Sequence, residues 1–168
     1  MLSDWSNLDT NLNNMINFIN EKKRVIDPFP VLSLIDDPLI HKINADIFVD
    51  YKFNTLSMKK MESYPRKEKI KIGYFSPDFR EHPTLYLMMD VFNLHDMSKF
   101  DVYAFSFGPR GKGDAYEKSK GLFKKFFDVK NMTDEEIINL CKEIGIEIAI
   151  DLCGYTSWNI ASIFYKRV

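Results

Sequence analysis

The sequence predicts an α/β fold: a parallel sheet interleaved with helices and preceded by a helical segment. Three observations predict it. From residue 66 to residue 168, short β-rich apolar runs alternate with amphipathic helical stretches over short connections, the pattern of a parallel sheet with right-handed crossovers. Over residues 1–65 the apolar residues recur instead at helical spacing, so the chain divides into a helical segment and an α/β domain at that point. The 168 residues, 45% apolar and 14% aromatic, suffice for one average domain with some extra helix and a core to match.

The elements follow in order. Leu8, Leu12, Met15, Ile16 and Ile19 make one apolar stripe, with Asp4 or Ser6 as the expected cap and Glu21-Lys22-Lys23-Arg24 as a basic last turn. Pro28, Pro30 and Pro38 interrupt the pattern, and a second helix is expected from about Pro38 to Lys60. No internal repeat is complete enough for a solenoid. Strands are expected at 70–76, 101–107, 126–129 and 146–152, and helices at 84–94, near 114–124 and from about Ser157. A further helix starts at Thr133-Asp134-Glu135-Glu136. This is a capping box, in which the Thr133 hydroxyl takes one free amide and Glu136 reaches back to another. It should stop at Gly145, which is suited to a left-handed helix end.

Composition excludes several classes of function. A net charge of −1 gives no electrostatic support for non-specific binding to nucleic acid or to a membrane surface; Lys59-Lys60 and the run from Arg66 to Lys71 have acids close by and read as a solvated face. No apolar run approaches the ~20 residues of a membrane span, and Met1-Leu2-Ser3-Asp4-Trp5 is no secretory signal. Two cysteines, Cys141 and Cys153, make neither a four-ligand zinc pattern nor a CxxC redox motif, so no metal site is expected and the setting is read as reduced and cytoplasmic. The glycines at 108, 111 and 113 fit neither nucleotide fingerprint and read as a flexible surface loop. His41 and His95 sit among helical residues and read as structural or solvent-facing.

Chemistry concentrates at two strand ends. Lys71-Ile72-Gly73-Tyr74-Phe75-Ser76-Pro77-Asp78-Phe79-Arg80-Glu81-His82-Pro83-Thr84 is an apolar run that stops abruptly and delivers polar groups and a histidine into a turn. In open α/β sheets the loop past a strand's carboxyl end is where ligands bind, which makes His82 a candidate. For a lone histidine the plainer reading, ordinary turn chemistry and a helix cap, would prevail. The second motif alters that: Ile146-Glu147-Ile148-Ala149-Ile150-Asp151-Leu152 gives way to Cys153-Gly154-Tyr155-Thr156-Ser157. Two strand ends of one sheet would aim His82 and Asp151 at a common crevice.

Together the segments Ile72 to Pro83 and Asp151 to Thr156 resemble the amino-terminal catalytic half of the O-linked N-acetylglucosamine transferase and SPINDLY-like glycosyltransferases. Ser98-Lys99-Phe100-Asp101-Val102-Tyr103-Ala104-Phe105 resembles that family's second strand and its lead-in, and Pro28-Phe29-Pro30-Val31-Leu32-Ser33-Leu34 with Asp36-Asp37-Pro38 resembles the helical linker before it. The resemblance implies a Rossmann-like sheet, the amino-terminal half of a GT-B enzyme. It also implies a carboxyl-terminal half, in this chain's continuation or in a separately encoded partner, that holds most of the nucleotide-sugar contacts. The donor implied is a UDP-sugar with no further cofactor, and the acceptor a Ser or Thr of a protein. On that resemblance His82 contacts the donor's sugar and diphosphate or takes a proton from the acceptor. An imidazole with an unperturbed pKa of ~6.5 suits proton transfer, while an electrostatic or positioning role serves the leaving diphosphate. Asp151 orients His82 or receives a proton through water. Pro83 and Thr84 fix the start of a helix whose amide-rich end favours phosphate. Gly154 allows close backbone approach, Tyr155 packs, Thr156 bonds the sugar or a phosphate, and the weakly hydrogen-bonding thiol of Cys153 bears on donor preference.

The sequence is compatible with three functions: part of a protein O-glycosyltransferase, inert without its other half; a non-catalytic binding or interaction module; and a flavodoxin-like small-ligand protein. Fold analogy alone does not separate them, and the paired motifs favour the first.

Overall fold

The computed structural model describes residues 5–53, 68–156 and 159–166. They belong to two compact units, Met1–Ser57 and Met58–Val168. The boundary expected after residue 65 lies outside the described residues, as do Asp4, Lys59-Lys60 and Ser157.

The first unit is helical: α1 (Leu8–Asn20), the single turn α2 (Pro28–Val31) and α3 (Pro38–Phe53). Its core is Ile19, Val31 and Ile40, with Met15, Ile16, Ile26, Ile35, Ile43 and Ile47 packed around them. Thus the second half of the α1 stripe, Met15, Ile16 and Ile19, is a core face. Its cap differs from the expectation. Asn7 is the N-cap, and its side chain makes no capping bond. The basic residues fall beyond the helix, which ends at Asn20. Lys22 turns the chain at φ 58°, and the Lys23 amide donates to the Phe18 carbonyl at 2.9 Å, closing the helix end. Asp37 starts α3 by accepting the Leu39 amide at 2.8 Å. His41 donates from Nε2 to the Ile35 carbonyl at 2.7 Å, a structural role as expected.

The second unit is the α/β domain. Its strands are β1 (Ile70–Ser76), β2 (Phe100–Ser106), β3 (Lys125–Asp128) and β4 (Ile148–Asp151). Between and after them run α4 (Pro83–Asn93), α5 (Asp114–Lys120), α6 (Asp134–Ile144) and α7 (Ala161–Tyr165). All pairings are parallel, in the order β3-β2-β1-β4. Successive side chains of a strand point to opposite faces, and here both faces are covered. Ile72, Tyr74, Val102 and Ala104 pack with Phe79, Leu85, Phe92 and Phe123 on the side of α4 and α5. Phe75, Tyr103 and Phe105 pack with Ile137, Ile138, Cys141 and Ile163 on the side of α6 and α7. Phe75 and Phe105 stack with centroids 4.5 Å apart, over a space that Gly73 leaves open: a Cβ there would stand 2.9 Å from the Phe105 ring.

The capping box at α6 forms as read: Thr133 Oγ1 accepts the Glu136 amide at 3.3 Å, and Glu136 Oε2 accepts the Thr133 amide at 2.7 Å. Gly145 ends that helix at φ 78°. Two elements are shorter than expected. α5 stops at Lys120 because Phe123 turns into the core and the Lys124 amide already bonds the Val102 carbonyl at 2.8 Å. β4 starts at Ile148 because the Ile146 amide is still occupied by the Cys141 carbonyl of α6, at 2.9 Å. His95 is structural, its Nε2 2.9 Å from the Tyr74 hydroxyl.

Burial pushes the Cys141 thiol up to about 12. An unfolded thiol ionises near ~8.5, so the folded state holds a proton that the unfolded state loses between those values. Stability is therefore complete below pH ~8.5 and falls as pH rises toward 12, by at most about 1.4 kcal/mol per pH unit for one proton. Urea titrations at pH 8 and pH 10 check this. The decline should be reduced in Cys141→Val, which removes the ionisable group.

Candidate functional site

The strand order reverses at β1: β2 and β3 lie on one side of it, β4 on the other. This is a topological switch point, where an open α/β sheet leaves a crevice beyond the strand carboxyl ends. Phe75 pairs with Asp151 in the parallel register, so the loops after β1 and after β4 leave the same edge side by side. The loops that carry the two sequence motifs therefore leave the sheet at this switch point.

The β1 loop is held from below. Ser76, 1% exposed, accepts the Asp78 amide on its hydroxyl at 3.0 Å, and Phe79, 1% exposed, anchors the loop among Phe92, Phe123 and Phe126. Asp78 and Arg80 stay above that anchor. Arg80 donates from Nε (3.1 Å) and Nη2 (2.9 Å) to Asp78 Oδ1, while Asp78 Oδ2 faces His82 Nδ1 at 3.6 Å. His82 is the N-cap of α4, its Nδ1 accepting the Thr84 amide at 3.2 Å and lying 3.1 Å from the Thr84 hydroxyl. Pro83 occupies the first helical position, where its missing amide costs nothing. The helix-cap role that the sequence offers as the plainer reading is thus present, and a third of the His82 side chain is nonetheless exposed.

The β4 loop is built on Asp151. Its Oδ1 accepts the Cys153 amide at 2.8 Å and its Oδ2 the Gly154 amide at 3.1 Å, so both carboxylate oxygens are spent on the turn. Gly154 adopts φ +57°, and a Cβ there would point into open space; the glycine is needed for its backbone conformation, with room above it for a ligand. Tyr155 is 37% exposed. Thr156 Oγ1 lies 2.8 Å from Cys153 Sγ. Burial raises the Cys153 thiol pKa, the Thr156 contact lowers it, and the carboxylates of Asp151 and Asp78 raise it further.

Among the described residues no hydrogen bond or ion pair joins Asp151 to His82; the carboxylate facing His82 is that of Asp78. Neither Asp78 nor Arg80 is among the candidate residues that the sequence points to. The signal was the spacing, since Asp78 and His82 are four residues apart in a segment that reverses direction. The loop from Gly108 to Gly113 lies at the surface at Pro109, Arg110, Lys112 and Gly113, as expected, but two of its glycines anchor it. It is packed against the β1 loop: Gly108 and Gly111 are buried, a Cβ on Gly108 would meet the Pro77 carbonyl oxygen at 1.8 Å, and one on Gly111 the Phe79 carbonyl oxygen at 2.5 Å. These glycines serve close approach. No group of three or more metal-ligating side chains is present among the described residues, and no described helix is long and apolar enough to cross a membrane.

Comparison with known proteins places this arrangement. Residues 2–167 match the model of glycosyl transferase family 41. The chain is 29% identical over 97 residues to a probable UDP-N-acetylglucosamine–peptide N-acetylglucosaminyltransferase, SEC, of Arabidopsis thaliana, covering 58% of this chain and 10% of the relative. It is 24% identical over 186 aligned residues to the UDP-N-acetylglucosamine–peptide N-acetylglucosaminyltransferase of Caenorhabditis elegans, covering 99% of this chain and 16% of the relative. The SPINDLY protein of Arabidopsis thaliana is 29% identical over 93 residues, covering 54% of this chain and 10% of that protein. An O-GlcNAc transferase variant from Thermobaculum terrenum superposes with a TM-score of 0.68 at 22% identity, over 96% of this chain and 29% of its own. That likeness shows the fold, and the chain spans only a minor part of each of these proteins.

Proposed function

The chain belongs to glycosyl transferase family 41, and from that premise we propose that it is the amino-terminal part of the catalytic region of a protein O-glycosyltransferase. The reaction moves a sugar, N-acetylglucosamine, from a UDP-sugar to a Ser or Thr hydroxyl of an acceptor protein. The observation that carries the reading is the meeting of the two motif loops at the β1/β4 switch point. His82 lies at the amino end of α4, where the helix dipole favours the donor's diphosphate. Asp151 and Gly154 shape the facing turn, and Thr156 and Tyr155 lie along it. The second half of the active site comes from a carboxyl-terminal domain or a partner chain. The donor is the only small molecule the reading calls for, and two free thiols suit a reducing, cytoplasmic setting.

One observation favours the alternative of a non-catalytic binding module: His82 caps its own helix and both oxygens of Asp151 are taken by their own turn, so each has a structural reason to be there. Calorimetric titration with UDP, alongside a transfer assay with UDP-N-acetylglucosamine and a Ser/Thr peptide, tests the proposal. This chain alone should show no transfer and should bind UDP with Kd well above micromolar, whereas joined to a carboxyl-terminal half it should bind at micromolar Kd, roughly 8 kcal/mol, and transfer. Absence of both in the joined protein would favour the binding module.

A further inference from the structure

His82 Nδ1 has three polar neighbours, and they do not ask the same thing of it. The Thr84 backbone amide, at 3.2 Å, can only donate, so it requires a bare Nδ1 lone pair. The Thr84 hydroxyl, at 3.1 Å, adapts to either state. Asp78 Oδ2 can only accept and would require a proton on Nδ1, but at 3.6 Å it stands beyond hydrogen-bond reach. Two contacts hold it off. Arg80 grips the other carboxylate oxygen through Nε and Nη2, and Ser76 fixes the Asp78 amide. At the far side of the ring, Nε2 makes no hydrogen bond among the described residues, and the side chain is 34% exposed.

We propose that the β1 loop fixes neutral His82 in the tautomer with its proton on Nε2, so that the ring offers the crevice a hydrogen-bond donor and not a proton acceptor, and that Arg80 secures this by keeping Asp78 off Nδ1. The proposal rests on the reading of the crevice as a diphosphate site, and it chooses between the roles left open for His82. An Nε2–H directed at a phosphate oxygen stabilises the charge that develops on the leaving diphosphate. Accepting the acceptor's proton at Nε2 would require the proton to sit on Nδ1, leaving the Thr84 amide without its acceptor. Arg80 and Asp78 are positioning residues: they act on the ring and not on the donor.

The test is the ¹⁵N imidazole spectrum of the histidine-labelled chain, at a pH where the rings are neutral. There are three histidines, and His82→Asn identifies the signal of interest. The expected result is an unprotonated Nδ1 and a protonated Nε2. A protonated Nδ1 would overturn the proposal. Thr84→Ala, which keeps the amide, should leave the tautomer as it is; a switch in that variant would assign control to the hydroxyl and refute the capping argument. Arg80→Leu should raise the Nδ1-protonated population, and an unchanged spectrum there would remove Arg80 from the account. With millimolar UDP the Nε2 signal should move, and an unmoved Nε2 while loop amides respond would refute the donor role. The tautomer is read without ligand, so its failure is distinct from failure to bind UDP.

Discussion

Replacing His82 with alanine in a complete enzyme that contains this segment is expected to lower turnover by about 10²–10³-fold, the loss typical of removing one donor to a developing negative charge. The alanine variant also removes the N-cap of α4, which costs about 1 kcal/mol of stability. His82→Asn separates the two effects, because asparagine is among the best N-caps and lacks the imidazole. It should restore the melting temperature and leave turnover low. Steady-state kinetics and thermal melts of both variants check this, and recovery of turnover in His82→Asn would reduce the histidine to a cap. Asp151→Asn should behave in the opposite way. One of its two amide-accepting oxygens becomes a donor facing an amide, so the β4 turn weakens by about 1–3 kcal/mol. Turnover should fall less than in either His82 variant. A larger loss at Asp151 with the fold intact would make that carboxylate the better base candidate.

The second large effect is expected far from any polar chemistry. Gly108→Ala places a Cβ 1.8 Å from the Pro77 carbonyl oxygen and 2.5 Å from its carbon, contacts with backbone that no rotamer change relieves. The β2 and β1 loops must part, at a cost of about 3 kcal/mol, the upper end of ordinary overpacking. Gly154→Ala meets no neighbour within 4 Å and carries only the strain of φ +57°, about 1–2 kcal/mol. Urea denaturation of the two variants gives the comparison. If Gly108→Ala were the milder, the close approach of the two loops would not exist in solution. Because Pro77 leads directly into Asp78 and His82, the Gly108 variant should also disturb the site in a way that Gly154→Ala does not share through the β1 loop.

The sequence carried the periodic features of this fold in full. The alternation of Ile72, Tyr74, Val102 and Ala104 against Phe75, Tyr103 and Phe105 is what lets a parallel sheet bury both faces, and it is visible in the chain as two apolar runs. The capping box at Thr133 and the stop at Gly145 are local chemistry and were equally legible. What depended on three dimensions was not. Nothing local says that Gly108 and Gly111 lie against Pro77 and Phe79, since that contact joins two loops separated by a helix and a strand. Likewise the carboxylate facing His82 is that of Asp78 on its own loop, at 3.6 Å, while Asp151, from which that role was expected, is spent on two amides next to it in the chain. A carboxylate at a strand end has two competing uses, and the short-range one prevails where a tight turn leaves amides free.

The loops after β1 and β4 are proposed to form a nucleotide-sugar crevice together. The measurement that tests it most directly is amide chemical-shift mapping of the ¹⁵N-labelled chain during titration with UDP, which reports even weak binding residue by residue. The shifts should concentrate in residues 76–84 and 151–156, in both loops at once and with a single apparent Kd. Shifts confined to the helical groove of Met89, Asn93, Lys118 and Leu122, or to one of the two loops with the other silent, would contradict it.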